Sequence, residues 1–378
     1  MKKSIPPLLA ALALLSACAK VETAPSSPDG MAISFSPILG SVRTKAGTDA
    51  DGKSGAGIMT KADAATPGEN FQFYSNAWYL PDGKTWDNNK ADAELYIDKA
   101  KVKYYNANVT VPPFAANSWH ADQVYYWPRG GSLTFLSYSC LSGTVFFPSA
   151  ITQGSFSKVE LDPEKGLSIK PFPTETTCGQ DFDLLVADFA KDRRANLNGV
   201  VPTLFRHKLA RISFYVSQEE KTTQDEIVLT SLKLTNIYMQ GDYSGGGYDS
   251  DSWSNQQSLA SDYSIFSSGT SNTPITVTTD AQQQVGPSVN VIPQNLLAIT
   301  TGSKTRDTPQ IIISYTKNGE DKEDIVRNLE DLGTNFWDKG KEYKYYITFG
   351  SGDKPIDFSG SIGDWEDKDN SGVDIGTK

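Results

Sequence analysis

Apolar and polar residues alternate along many short stretches of this chain, which is the pattern of half-buried β-strands. The alternation is clear in residues 32–36, where Ile33 and Phe35 are interleaved with serines, and again in residues 227–237. Runs rich in aromatic and β-branched residues predict further strands. These runs span residues 71–79, 104–111, 124–127, 133–139, 182–187, 201–216, 289–292, 310–315, 343–349 and 356–362.

Helical patterns are scarce. The best is the segment 326–332, which is long enough for one or two turns. Because the strands lack helical crossovers between them, parallel pairing is not expected. The pattern therefore predicts an all-β fold with two tandem antiparallel β-sandwich domains.

The N-terminus has the pattern of an export signal. Lys2 and Lys3 precede an apolar run over residues 8–15, and Leu-Ser-Ala leads directly to Cys18. A basic start, a short apolar run and small residues before the cut are typical of a secretory signal, and the run is too short to span a bilayer. A cysteine at that point resembles a bacterial lipobox, which predicts lipidation of Cys18 and anchoring through acyl chains.

Changes in composition predict the domain limits. We assign residues 1–17 to the lipoprotein signal peptide, 18–31 to a flexible tether, 32–195 to an N-terminal sandwich and 196–378 to a C-terminal sandwich. Residues 40–68 are too polar to bury much surface, and we interpret them as a mobile loop within the first domain. Pro37 lacks a backbone N–H, which limits how far the first strand can pair as a central strand.

Residues 241–271, rich in Ser, Gly, Asp and Tyr, predict a long insertion of the functional or disordered kind. Tyr248 and Trp253 in this insertion could stack on a sugar, or they could pack against their own domain. Both alternatives stay open. The first gives a second hypothesis, a surface glycan-binding lipoprotein that does not polymerise.

Charge and cysteine content narrow the partners. The formal net charge is −10, and an acidic chain repels phosphate backbones, which argues against nucleic acid as a partner. Besides Cys18 the chain has Cys140 and Cys178. An exported compartment permits a disulfide between these two, and two separate buried thiols are the alternative.

Few residue patterns of catalysis occur in the sequence. Its many carboxylates leave a glycosidase pair open as a third hypothesis, although their spacing singles out no pair. The two histidines, His120 and His207, lie apart, and neither accompanies a Gly-x-Ser-x-Gly elbow. His120 lies in a predicted turn and His207 in a predicted strand. Zinc-ligand spacing and phosphate loops are also missing. We therefore predict that the protein is not an enzyme and has no cofactor or metal site.

Several short sequence segments, in the order in which they occur along the chain, resemble the fimbrillin family, in particular its Mfa-like branch of type V pilus and fimbria-like lipoproteins. The lipobox is the first of them, and the others are Ile33-Ser34-Phe35-Ser36-Pro37, Arg43-Thr44-Lys45-Ala46, Tyr125-Tyr126-Trp127-Pro128, Leu133-Thr134-Phe135-Leu136-Ser137-Tyr138, Asp183-Leu184-Leu185-Val186-Ala187, Phe205-Arg206-His207-Lys208-Leu209-Ala210-Arg211-Ile212, Val291-Ile292-Pro293-Gln294, Phe336-Trp337, Lys341-Glu342-Tyr343-Lys344-Tyr345 and Ile362-Gly363-Asp364-Trp365-Glu366-Asp367. They span nearly the whole chain.

The resemblance implies two transthyretin-like domains and a lipid-anchored protein of the outer membrane and fimbrium. It also implies assembly by donor-strand exchange, in which a trypsin-like protease cuts beyond the first strand and a neighbouring subunit supplies a replacement. The candidate cut sites are Arg43, Lys45 and Lys61, and the displaced strand would carry Ile33, Phe35 and Ile38.

The implied partners are other fimbrial subunits and a host or glycan ligand. The acidic tail, with only Val373 and Ile375 to insert, departs from a convincing donor strand and favours a tip, anchor or accessory role.

Overall fold

A computed structural model describes most of the chain between Gly30 and Asp374. The described residues are 30–38, 72–105, 113–114, 118–142, 145–146, 158–173, 183–195, 200–220, 225–246, 251–260, 262–269, 272–279, 281–301, 304–350, 355–365 and 373–374. Within them the fold is all-β, as the sequence predicts, with one α-helical turn at Trp86–Asn89 (α1) and 3₁₀ turns at Lys90–Asp92 and Leu329–Leu332. The helical segment predicted at 326–332 is thus only a 3₁₀ turn. In the described part of the chain, helices long and apolar enough to cross a membrane are not found.

The first half of the chain contributes eleven strands to the described structure. They are β1 (Ser34–Ile38), β2 (Gln72–Leu80), β3 (Glu94–Tyr105), β4 (Ser118–Ala121), β5 (Ser132–Ser142), β6 (Val145–Phe146), β7 (Lys158–Asp162), β8 (Gly166–Pro173), β9 (Asp183–Ala187), β10 (Ala190–Arg193) and β11 (Val200–His207).

The second half contributes the remaining described strands. They are β12 (Ala210–Gln218), β13 (Ile227–Thr235), β14 (Ile237–Gly245), β15 (Ser252–Ala260), β16 (Tyr263–Ser267), β17 (Ile275–Thr276), β18 (Gln283–Gln284), β19 (Val289–Val291), β20 (Gln294–Asn295), β21 (Ile299–Thr301), β22 (Lys304–Arg306), β23 (Gln310–Lys317), β24 (Glu320–Asp321), β25 (Ile325–Asn328), β26 (Phe336–Trp337), β27 (Lys341–Phe349), β28 (Asp357–Asp364) and β29 (Val373–Asp374).

The first sheet closes on itself. Its strands follow the order β5-β2-β3-β4-β1-β11-β9, and β9 pairs again with β5. Seven strands therefore form a barrel-like ring, with β10 and β6 attached to β5. Closure leaves the ring without free edges, and its interior holds a core that includes Phe73, Phe135 and Phe205. The predicted arrangement of two tandem sandwiches is not confirmed, because a closed ring stands where the first sandwich is expected.

Two sheets of the second half share one core. One has the order β18-β12-β27-β28-β29 and the other the order β16-β13-β23-β24. Side chains such as Phe214 and Tyr345 from the first sheet and Leu232 and Ile313 from the second belong to the same buried cluster. The regular alternation of buried and half-buried residues along β13 is the pattern that the sequence predicts for this strand.

Parallel pairing occurs twice among the described strands, contrary to the prediction from the sequence. β1 pairs in parallel with β11, and β12 pairs in parallel with β27 over residues 211–218. Long excursions through other strands take the place of helical crossovers, so the scarcity of helices did not exclude parallel neighbours.

A third sheet connects the two halves. Its order is β15-β14-β8-β7, so strands from residues 158–173 pair with strands from residues 237–260. Its core includes Phe172 and Tyr243 together with Leu136 from the barrel strand β5. At the same junction the ring of Trp365 stacks on His207, with centroids 3.9 Å apart.

The predicted limits at 195 and 241–271 differ from this pairing. β11 belongs to the barrel through β1 and β9, so the first sheet continues to His207 instead of ending at residue 195. Most of segment 241–271 forms parts of β14, β15 and β16 and is not one long loop. Alternate residues of β14 face the core, and small residues at Gly241 and Gly245 weaken the apolar signal there.

Candidate functional site

The first strand is part of the barrel sheet and has a neighbouring strand on each side, so it is not an edge strand. β1 stands between β11 and β4, with Phe35 opposite Val201 on one side and Trp119 on the other. Just before the strand, the N–H of Ile33 donates to the carbonyl of Tyr125 at 2.8 Å. Segment 31–38 is therefore held by backbone contacts from both flanks.

Side chains of β1 alternate as the sequence predicts. Ile33 and Phe35 are 2% and 5% exposed, whereas Ser36 is exposed to solvent. The ring of Phe35 meets Phe73 and Phe135 edge to face, with centroids 5.6 and 5.9 Å apart. The third predicted residue, Ile38, pairs in register with Leu204, but its side chain lies outside the described structure.

Pairing on the two sides of β1 is unequal. The register with β11 continues through all five residues, while the register with β4 consists of the Phe35–Trp119 pair. Pro37 lacks an N–H and cannot complete a ladder, so the predicted limit on pairing is visible on the β4 side. The strand is nevertheless central, since the parallel ladder to β11 reaches past Pro37.

On the side of β1 that faces away from β11, side-chain contacts add to the backbone pairing. The hydroxyl of Tyr96 on β3 donates to the carbonyl of Tyr126 at 2.6 Å, and burial raises the pKa of Tyr96, which keeps this donor protonated. The predicted strand at 124–127 is reduced to one bridge between Ala32 and Tyr126. This side of the barrel therefore depends on side-chain contacts as well as on backbone pairing.

His120 lies in β4 and not in a turn. Its ring is sandwiched between Tyr105 and Phe114, with centroids 3.8 and 3.9 Å away. Burial lowers the pKa of His120, against a hydrogen bond with the Ala121 carbonyl that acts in the opposite direction. The ring is packed as a core side chain on the strand next to β1.

His207 ends β11 and is bound by a carboxylate. Its Nδ1 lies 2.7 Å from Asp183, and both side chains are nearly inaccessible. The next residue along the chain, Lys208, forms a buried ion pair with Asp251 at 2.6 Å. The sequence did not indicate these partners, because Asp183 and Asp251 lie 24 and 43 residues away.

Other predicted site residues are only partly described. Cys18, Arg43, Lys45, Lys61, Cys178 and Tyr248 lie outside the described residues. Cys140 is buried in β5. Because Cys178 is not among the described residues, the disulfide between the two stays a prediction. Trp253 is a half-buried strand residue whose ring meets Phe172 edge to face and whose Nε1 donates to the Lys208 carbonyl. Its contact with a glycan also stays a prediction.

Groups of three or more His, Cys, Asp or Glu side chains that could hold a metal ion are not found among the described residues. The described features around β1 are apolar packing and backbone pairing. Such an arrangement can hold a β-strand through main-chain hydrogen bonds and pockets for alternate side chains.

Solved structures from Bacteroides species and from Porphyromonas gingivalis resemble this chain to different degrees. A fimbrial protein from Bacteroides vulgatus ATCC 8482 shares 17% identity with a TM-score of 0.58, over 88% of this chain and 99% of that chain. A candidate cell adhesion protein from Bacteroides uniformis ATCC 8492 shares 14% identity with a TM-score of 0.46, over 82% of this chain and 97% of that chain. The C-terminally truncated tip fimbrial protein Mfa3 from Porphyromonas gingivalis shares 11% identity with a TM-score of 0.37, over 79% of this chain and 97% of that chain. The first likeness shows the fold, and the other two are too distant to carry an argument.

No curated protein matches the sequence. The fimbrillin-like family model, however, matches residues 44–365, which is most of the chain and includes both halves of the described structure. The chain therefore belongs to the fimbrillin-like family, and this membership supports a structural or adhesive role in a fimbrium.

Proposed function

We propose that the protein is a fimbria-like surface lipoprotein that assembles with other fimbrial subunits by protease-triggered donor-strand exchange. Cys18 would carry the lipid that anchors it to the outer membrane. A cut at Arg43, Lys45 or Lys61 would then separate β1 from the rest of the chain. The observation that carries the proposal is the position of β1, a short strand with a buried face inserted between β4 and β11.

A cut after β1 would leave the strand held only by noncovalent contacts. The candidate cut residues all follow Ile38 and precede β2, which begins at Gln72. Cleavage anywhere in that interval therefore detaches residues before the cut without interrupting another strand of the described barrel. Five residues of pairing with β11 and one register pair with β4 would remain.

Loss of β1 would open the ring. Removing Ile33 and Phe35 would expose apolar surface worth about 1.5–3 kcal/mol for each side chain. Backbone groups of β11 and β4 would lose their partners, which turns two internal strands into edges that attract a new strand. An incoming strand with apolar residues two positions apart would restore both the packing and the pairing.

The C-terminal part of the chain contains one segment that is held in its sheet by few paired residues. β28 pairs with β27 over residues 357–364, and Phe358 is buried, so a donor role for residues 356–362 would require a sandwich strand to leave. β29 instead pairs with β28 at two positions. Its Val373 and the following Ile375 are two residues apart, but the segment around them is acidic. This composition supports a tip, anchor or accessory position over a shaft position.

The proposal is tested by brief treatment of the purified protein with trypsin at low dose, followed by N-terminal sequencing and gel analysis of unboiled samples. A stable core that begins just after Arg43, Lys45 or Lys61, and that forms ladders with itself or with another fimbrial subunit, is the expected result. A variant with Arg43, Lys45, Lys53 and Lys61 all changed to Ala, which removes every Lys and Arg between β1 and β2, is the matched control and should stay uncut in that segment and monomeric. Cleavage in β2 or later, or a processed core that accepts no partner, would refute the proposal.

Anchoring is tested separately. Cys18→Ser should move the protein from the membrane fraction to the soluble fraction after cell lysis, since acyl chains on that residue supply the membrane affinity. A variant that stays with the membrane fraction would contradict the anchor.

A further inference from the structure

Lys208 and Asp251 lie in contact at the junction of the two halves. The Nζ of Lys208 is 2.6 Å from Oδ2 of Asp251, and the side chains are 1% and 0% exposed. Lys208 connects β11 to β12, and Asp251 directly precedes β15. A primary amine and a carboxyl group are thus held together with almost no solvent-accessible surface of their own.

Two further groups surround the carboxyl of Asp251. The hydroxyl of Tyr243 donates to Oδ1 at 2.8 Å. The Nζ of Lys339 lies 3.2 Å from Oδ2, and this side chain is 28% exposed. One carboxyl oxygen therefore faces a phenol, and the other faces two amines.

The main chain fixes both reacting residues. The N–H of Lys208 donates to the carbonyl of Leu184 at 2.9 Å, and its own carbonyl accepts from Nε1 of Trp253 at 3.0 Å. Trp253 lies two residues after Asp251, so the same contact ties the start of β15 to Lys208. Groups held this way need little further ordering to react, and such preorganisation corresponds to effective molarities of about 10⁵–10⁸ M in good cases.

The protonation states suit an amine acting on a carboxyl group. Burial lowers the pKa of Lys208, although the neighbouring Asp251 acts in the opposite direction. Burial, with a further contribution from Asp251, raises the pKa of Tyr243 well above its usual value, so this phenol stays a hydrogen-bond donor. In a dry site a proton can pass from the ammonium to the carboxylate, because the neutral pair avoids the cost of burying two charges.

We propose that Lys208 and Asp251 condense to an intramolecular isopeptide bond. The neutral amine of Lys208 attacks Cγ of Asp251, and the N–C bond forms as negative charge develops on Oδ1, where the Tyr243 hydroxyl stabilises it. The Cγ–Oδ2 bond then breaks, and Oδ2 leaves as water. The ammonium of Lys339 protonates the leaving oxygen and is restored by a proton from Lys208.

The reaction balances without another reagent. An ammonium and a carboxylate with no net charge give one amide and one water molecule, and neither carbon nor nitrogen is oxidised or reduced. The burial of Lys208 and Asp251 keeps bulk water away from the new amide, and the partly exposed Lys339 beside Oδ2 marks the side on which the released water would leave. The product would join the β11–β12 connection covalently to β15 and thus fasten the connecting sheet to the barrel.

Another ion pair in the same protein provides an internal control. Lys317 and Asp225 lie 3.0 Å apart, but their side chains are 23% and 22% exposed. Water reaches this pair, so condensation there would have to compete with hydration of both groups. We expect an ordinary ion pair at this position.

Mass spectrometry of the purified full chain under denaturing conditions tests the bond. The wild-type protein should be lighter, by the mass of one water, than the value calculated for its own termini. Trypsin should fail to cut after Lys208, leaving residues 207–211 joined to the peptide that carries Asp251. Tandem spectra should find this joined pair and should not find a joined Lys317–Asp225 pair.

Two variants complete the test. Lys208→Arg keeps a cation but lacks a nucleophilic amine, and it should have its full calculated mass. Lys339→Gln removes the proposed proton donor and should slow the appearance of the lighter form after synthesis. A full mass for the wild-type protein after prolonged incubation would overturn the proposal. A lost water without joined peptides, as in an aspartyl succinimide, would overturn it too, and both readings come from the wild-type chain even where a variant fails to fold.

Discussion

Phe35 and Phe73 meet edge to face inside the barrel, with ring centroids 5.6 Å apart and ring planes at 81°. Phe35 belongs to β1, which precedes the candidate cut sites, and Phe73 belongs to β2, which follows them. The contact thus connects a segment that proteolysis could detach to the part of the fold that would remain. Edge-to-face pairs add about 0.5–1.5 kcal/mol beyond the area they bury. The first strand is therefore packed into the barrel by contacts that would still hold it after a cut between β1 and β2.

Truncation of Phe35 should destabilise the barrel. Phe35→Ala leaves a cavity next to Phe73 and Phe135, and large-to-small changes of this kind cost about 3–5 kcal/mol of unfolding free energy. Chemical denaturation monitored by tryptophan fluorescence measures the change. Ser36→Ala, at an exposed position on the same strand, is the control and should have almost no effect. Equal effects of the two changes would mean that β1 does not pack in the barrel.

The buried pair of Arg206 and Asp188 should be sensitive to the loss of one partner. The guanidinium donates from Nε and Nη2 to the carboxylate at 3.0–3.2 Å, and the side chains are 1% and 8% exposed. Asp188→Ala removes this carboxylate from a buried guanidinium, and the loss of one partner of a buried ion pair costs about 3–5 kcal/mol. The same substitution at Asp82, whose pair with Arg194 is well exposed, should lower the stability much less. Urea unfolding of both variants compares the two, and similar losses would contradict the burial of the first pair.

A hydrogen bond in the second core can be tested by removing one oxygen atom. Nε1 of Trp337 donates to the hydroxyl of Tyr345 at 2.9 Å, and both side chains are buried. Tyr345→Phe leaves the indole N–H without this acceptor and should cost about 1–3 kcal/mol. Tyr346→Phe on the half-buried outer face of the same strand is the matched control, and we expect little change there. Thermal unfolding of both variants gives the comparison, which fails if the control loses as much as the core variant.

Acid should weaken the contact between β3 and the loop after β4. Burial alone would raise the pKa of Asp122, but hydrogen bonds from Tyr105 and Lys103 outweigh it and hold the pKa below the usual range. A carboxyl group whose pKa is lowered by folding stabilises the folded state above its unfolded pKa of about 3.9. This contribution is lost as the pH falls through the lower, folded pKa. The stability difference between wild type and Asp122→Asn should therefore be constant above about pH 5 and should shrink below about pH 4. A difference that grows on acidification would contradict this assignment.

Long strands with a clear apolar face could be predicted from the sequence. β2, β5, β9, β13, β23 and β27 all fall within or close to the predicted runs. Burial along β27 and most of β13 follows the period of two that a pleated strand imposes, whereas β9 is buried at every residue and is recognisable as a short continuous apolar run. β14 carries the same alternation through Ile237, Met239 and Tyr243, but glycines and polar residues made it resemble a loop. Its burial depends on β8 and β15, which are distant partners that composition does not show.

Pairing between strands that lie far apart along the chain could not be predicted from the sequence. Closure of the ring by β5 and β9 and the parallel ladder of β1 with β11 are set by packing of the whole sheet. The same reason explains why the alternation of Ile33 and Phe35 could identify β1 as a strand but not as a central one. The ion pair of Lys208 with Asp251 brings together residues 43 positions apart, and neither local sequence distinguishes it from solvated charges.

The replacement of β1 by another strand is tested most directly with a labelled peptide that has the sequence of residues 30–38. A single site for a highly specific protease is placed between Ile38 and Arg43, and the purified protein is cut there. The cut protein should exchange its own β1 for the labelled peptide, while the uncut protein and a peptide carrying Ile33→Asp and Phe35→Asp should show no binding. If the cut protein never takes up the wild-type peptide, or if the uncut protein binds it equally well, β1 is not a replaceable strand of this barrel.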